Sequence, residues 1–66
     1  MPNITIEGPE IKDIETKRQL VKEITDVVEK VYKFPREAYV VVIKENSGEN
    51  VGVGGELVVD KFKEKT

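Results

Sequence analysis

The stretch Tyr39-Val40-Val41-Val42-Ile43 constrains this chain most. It shows no apolar/polar alternation, and four of its five residues are β-branched. Such a run reads as a strand covered on both faces. Only one long amphipathic segment is available to cover it, and one helix covers one face of a sheet. The second cover has to come from another subunit. Size leads to the same expectation, since 66 residues make one small domain. No cysteine is present to staple it, and without cysteine or histidine a structural zinc site is excluded. A chain of this kind is expected to self-associate.

The elements around that strand read in a simple order. Residues 2–7 alternate, with Ile4 and Ile6 on one face and Asn3, Thr5 and Glu7 on the other, so they predict a strand that Gly8-Pro9 ends. Asp13 is placed as an N-cap, Ile14 opens a helix and Glu15 lies near its positive end. Ile14, Leu20, Val21, Ile24, Val27, Val28, Val31 and Tyr32 fall within an arc of roughly 140° over about five turns. Lys17 lies inside that arc, where its stem covers apolar surface. The opposite face is charged, with Asp26/Lys30 and Glu29/Lys33 at supportive i,i+4 spacing. Pro35 stops the helix, and Phe34-Pro35-Arg36-Glu37 connects it to the strand. Strand, helix, strand in this order is a right-handed βαβ unit with parallel strands. After a turn-rich segment over 44–50, Val51-Gly52-Val53-Gly54-Gly55 predicts a short hairpin. The apolar segment after it is expected to pack on a neighbour, and 60–66 form a charged tail. The fold class expected is α+β.

Several function classes drop out. Net charge is −2, with 11 basic and 13 acidic residues interspersed, so no basic face invites nucleic acid. The apolar runs are far too short to span a bilayer, and the start lacks the pattern of a signal peptide. A cytoplasmic location is expected, which makes the Asn3-Ile4-Thr5 sequon a chance match. Charged residues, mostly Lys and Glu, make up 36% of the chain, a pattern that leans towards a thermophilic source. Gly52-x-Gly54-Gly55 is not a dinucleotide cradle, because that loop requires a following helix and a fuller glycine spacing. No cofactor and no metal are expected.

Acid/base chemistry would therefore fall to Asp, Glu, Lys, Tyr or the amino terminus. Pro2 directly follows the initiator, and the small proline favours removal of Met1. Removal leaves a secondary amine, whose basicity lies near that of other α-amino groups and so within reach of neutral pH. With Met1 in place, the same nitrogen is a tertiary amide and has no basic lone pair. If the chain is an enzyme, processed Pro2 is the best base it contains.

Met1-Pro2, the helix ending before Pro35, Ile43-Lys44-Glu45 and Val51-Gly52-Val53-Gly54-Gly55-Glu56-Leu57 together resemble the 4-oxalocrotonate tautomerase family. Gly8-Pro9 and Glu49-Asn50-Val51-Gly52 are similar to the archaeal-type branch related to a dienoate tautomerase of aromatic hydrocarbon catabolism. The resemblance implies a single tautomerase-like domain over 1–66: a β-α-β protomer with a C-terminal hairpin, its sheet completed in a homo-oligomer, dimer or hexamer. It implies an isomerase that moves a proton in a small unsaturated 2-hydroxy or 2-oxo acid such as 2-hydroxymuconate, with N-terminal Pro2 as general base. Two arginines and a phenylalanine serve the substrate in the family. Lys12 stands at the first arginine position, Val40 at the second and Val51 at the phenylalanine position. Lysine keeps the charge and loses the bidentate fork. Lys44, at the same strand parity as Val40, and Arg36 are the cations nearest to the missing arginine. Lys12, Lys44 and Val51 are thus the substrate-binding candidates beside Pro2. The alternative on the same fold is an inactive oligomeric scaffold or small-molecule binder.

Overall fold

The computed structural model describes residues 1–62. β1 (Asn3–Gly8) and β2 (Val40–Glu45) form a two-stranded parallel sheet, joined by α1 (Ile14–Tyr32) and a 3₁₀ turn over Arg36–Ala38. The register runs from Asn3 opposite Val40 to Gly8 opposite Glu45. A second 3₁₀ turn, Gly48–Asn50, leads to the hairpin of β3 (Gly52–Val53) and β4 (Glu56–Leu57), and α2 (Val58–Lys61) follows at once.

Local chemistry explains each boundary. Asp13 caps α1 by accepting from the Glu15 N–H, and its other oxygen accepts from the Thr16 hydroxyl. Lys33 ends the helix in the left-handed region at φ 62°, with its N–H on the Glu29 carbonyl. The hairpin turn needs positive φ at both central positions, and Gly54 (62°) and Gly55 (86°) supply it without a Cβ penalty.

The sheet has one partly covered face. Ile4 and Ile6 of β1, with Val41 and Ile43 of β2, are half-buried, whereas Asn3, Thr5, Glu7, Val40, Val42 and Lys44 are exposed. Among the described residues only Thr25, 7% exposed, is buried, and its hydroxyl donates to the Val21 carbonyl. No apolar side chain among the described residues is buried. The radius of gyration is 15.5 Å, against about 11 Å for a compact domain of this length. The surface of 5463 Å² likewise exceeds the roughly 4,200 Å² expected of a compact monomer of this mass.

Several expectations need correction. The central strand is Val40–Glu45, and Tyr39 stays outside it. Its hydroxyl closes the preceding loop, donating to the Phe34 carbonyl and accepting from the Phe34 N–H. The sheet covers only part of the apolar arc of α1. Val27 and Val31 remain open, Val31 at 74%. Asp26 and Glu29 do not pair with Lys30 and Lys33, because Arg36 reaches both at 2.8 and 2.7 Å and Lys22 also pairs with Asp26. Val58 and Val59 open α2, which lies on the Gly48–Asn50 turn so closely that a Cβ at Gly48 would stand 3.2 Å from the Val59 nitrogen. Asp60 and Lys61 continue that helix, and the end of the expected tail, 63–66, lies outside the described residues.

Glu45 ties the layers together. One oxygen accepts from the Ile11 N–H at 2.8 Å, which holds the β1–α1 connection, and Lys17 of α1 pairs with it at 3.0 Å. The Ile11 hydrogen bond first, then the Lys17 bond and charge, hold the Glu45 carboxyl below its usual range against the opposing effect of desolvation. A group lowered in this way adds stability above its unfolded pKa and loses it as pH falls through the folded value. The resistance of the wild type to chemical denaturation should therefore weaken on acidification below about pH 4. Glu45→Gln should be less stable at neutral pH and show a shallower acid limb. Acid limbs of equal slope would contradict this role for Glu45.

Candidate active site

Pro2 stands at the entrance to β1, a strand position that suits a residue without an N–H. It is half-buried, and its carbonyl accepts from the Val40 N–H at 3.1 Å. Its backbone is thus fixed to the start of β2. Met1, 81% exposed, projects beyond it and makes no part of the sheet. Removing that residue would leave the sheet bonds intact and expose a secondary amine at a held position.

The other candidates gather at the opposite end of the strands. Lys44 is opposite Glu7, four residues beyond Val40 and so about 13 Å along the strand. Lys12 follows Ile11 on the connection that Glu45 holds, and it has no ion-pair partner among the described residues. Val51 is half-buried, and its carbonyl accepts from the Val58 N–H at 2.8 Å. Val51 lines an open cleft of about 670 Å³ with Glu7, Pro9, Asn46, Asn50 and Val58. That volume suits a small organic ligand. A single chain therefore brings Lys12, Lys44 and Val51 to one end of the sheet and holds Pro2 at the other.

Arg36 belongs to neither end in a usable way. Glu29 and Asp26 both pair with it, and one guanidinium nitrogen donates to the Lys22 carbonyl. The Glu29 bond first, opposed by desolvation and joined by Asp26, raises its pKa further. Its work is to clamp the loop after α1 onto the helix. Among the described residues no cluster of three His, Cys, Asp or Glu side chains could hold a metal ion.

Sequence reasoning did not single out three contributors. Asn46 donates from its side chain to Glu7 at 2.9 Å and from its backbone to the Gly8 carbonyl, so it shapes the cleft floor. Glu7 read as an ordinary residue of a polar strand face. Glu45 was visible only as part of a motif, because its bond to Ile11 joins residues 34 apart. No local pattern in the sequence marks that contact.

Comparison with known proteins agrees with this architecture. Residues 2–61 match the family model for the tautomerase enzyme. A probable tautomerase of Listeria innocua is 42% identical over 55 residues, which cover 83% of this chain and 90% of that one. The crystal structure of YwhB, a homologue of 4-oxalocrotonate tautomerase, superposes with a TM-score of 0.81 at 30% identity, covering 89% of this chain and 97% of that one. DmpI from Archaeoglobus fulgidus gives 0.78 at 39% identity, covering 89% of this chain and all of that one (100%). The chain belongs to the tautomerase family. It is an isomerase of the 4-oxalocrotonate tautomerase type, with the α+β fold of that group. Among the described residues no helix is long and apolar enough to cross a membrane.

Proposed function

We propose that the chain is a cofactor-independent tautomerase acting on a small unsaturated 2-hydroxy or 2-oxo acid, of which 2-hydroxymuconate is the type, with processed Pro2 as general base. The observation that carries this reading is the held, half-buried position of Pro2 at the sheet entrance in a chain of the tautomerase family. The neutral amine takes the proton from the 2-hydroxyl oxygen as the electron pair moves through the diene. The same nitrogen returns the proton to a carbon, and the dienol becomes a conjugated 2-oxo acid. Lys12 holds the carboxylate or the developing enolate oxygen, Val51 forms part of the wall, and Lys44 stands beside Glu7 at its edge. Removing the amine from water and placing it near a cation lowers its pKa, so that it is neutral at pH 7.

A homo-oligomer is part of the reading, because one chain keeps Pro2 apart from Lys12, Lys44 and Val51. Two copies joined edge to edge about a two-fold axis, with both helices on one face, run their strands antiparallel. Pro2 of one copy then meets the partner's end that carries the other three residues. Exposed Val40 and Val42 favour further stacking of dimers into a hexamer. The 39% identity to the Archaeoglobus protein supports an archaeal-type dienoate tautomerase. The charge-rich composition fits a thermophilic source. With these goes a cytoplasmic role in aromatic hydrocarbon catabolism.

Two experiments test these statements. Pro2→Ala, with the processed terminus verified by intact mass, should lower kcat/KM for 2-hydroxymuconate by about 100-fold or more. Unchanged turnover would remove Pro2 from the role of base. Val42→Glu, which puts a charge on the 45%-exposed centre of the open face, should shift the protein to smaller species in sedimentation at micromolar concentration. A wild type that already sediments as a monomer would contradict the assembly.

A further inference from the structure

Charge around the cleft bears on which acids it admits. The lining contains Glu7, Asn46 and Asn50 as polar groups and Pro9, Val51 and Val58 as apolar ones, with no lysine or arginine among them. The Asn46 amide fixes the Glu7 carboxylate at the wall, 2.9 Å away. Lys44 is the register neighbour of Glu7, yet the two form no ion pair, so Lys44 at most offsets that one charge. Glu10 adjoins Pro9, and Glu49 sits between Gly48 and Asn50, which both line the cleft. Lys12, on the adjoining connection, has no ion-pair partner among the described residues. Glu45 and Lys17 are already committed to each other. Among the described residues of one chain, Lys12 and Lys44 stand against Glu7, Glu10 and Glu49 around the cleft, which leaves no positive surplus there to hold two carboxylates.

Resting on the tautomerase reading above, the geometry points to a monocarboxylate as the substrate class: a 2-hydroxy or 2-oxo acid with one carboxylate and an apolar unsaturated tail. Lys12 receives the carboxylate end. Pro9, Val51 and Val58 receive the tail by apolar contact. Glu7 is the specificity-determining residue, because a second carboxylate on the tail would meet a like charge held in place by Asn46. Charge repulsion of this kind at a solvent-exposed wall is screened by salt, so the preference should weaken as ionic strength rises.

The test compares processed wild type and Glu7→Gln on two dienols, 2-hydroxy-2,4-pentadienoate with one carboxylate and 2-hydroxymuconate with two. The wild type should favour the monoacid in kcat/KM by about 10-fold or more. In Glu7→Gln that ratio should fall at least about three-fold, chiefly through a lower KM for the diacid. Turnover depends on the base, so binding is measured separately on Pro2→Ala with the non-reacting 2-oxopentanoate and 2-oxohexanedioate. Tighter binding of the monoacid is expected there whether or not Pro2 is the base. Unchanged turnover in Pro2→Ala with that binding preference intact would count against Pro2 as base and leave the monocarboxylate preference standing. A diacid bound or turned over as well as the monoacid, a ratio unmoved by Glu7→Gln, or no binding of either acid would overturn the proposal.

Discussion

β1 and β2 carry α1 on one face and leave Val40, Val42 and Lys44 exposed on the other, where no described part of the same chain covers them. Burial of apolar surface is the main favourable term in folding. Here no apolar side chain of the described residues is fully buried. The long axis of 45 Å beside a short one of 14 Å describes a plate that has to be stacked or extended. The exposed flank of α1 at Val27 and Val31 and the exposed side chains of Leu57, Val59 and Phe62 are further surface of the same kind.

The same geometry governs the chemistry. Parallel strands put their starts at one end and their finishes at the other, so Pro2 and the Lys12–Val51 group cannot meet within one plate. Each end is held firmly by its own bonds. The Val40 N–H fixes Pro2, while Glu45 fixes the connection before Lys12 through Ile11 and braces it on α1 through Lys17. Two prepared half-sites on a plate that needs partners make assembly and catalysis one requirement in the proposed enzyme.

Much of this was legible in the residues. The period-2 pattern over 2–7, the Asp13 cap, the helical arc and the Gly54-Gly55 turn each rest on local backbone chemistry, and each appears in the structure. The Val40–Ile43 run announced a sheet with more face than one helix covers. What was not legible depends on contacts between distant residues. Arg36 drew Asp26 and Glu29 away from their i,i+4 lysines because the loop after Pro35 folds back along the helix. Tyr39 left the strand because its hydroxyl serves Phe34. Val58 and Val59, legible only as part of an apolar segment, turned helical on the Gly48–Asn50 turn. The separation of Pro2 from Lys12 follows from β1 lying between them, which alignment of motifs does not display.

Subunit mixing tests the central claim that the proposed site is completed between copies of the chain. Processed Pro2→Ala and Lys12→Ala proteins are each measured alone, then unfolded together in equal amounts and refolded. Half of randomly formed dimers are mixed, and each mixed dimer pairs an intact Pro2 with an intact partner Lys12 at one of its two sites. Activity should therefore return to about one quarter of the wild-type value, well above either parent. Activity that stays at the average of the two parents, in a mixture shown by mass spectrometry to contain mixed dimers, would place both residues in the same chain's site and contradict the account.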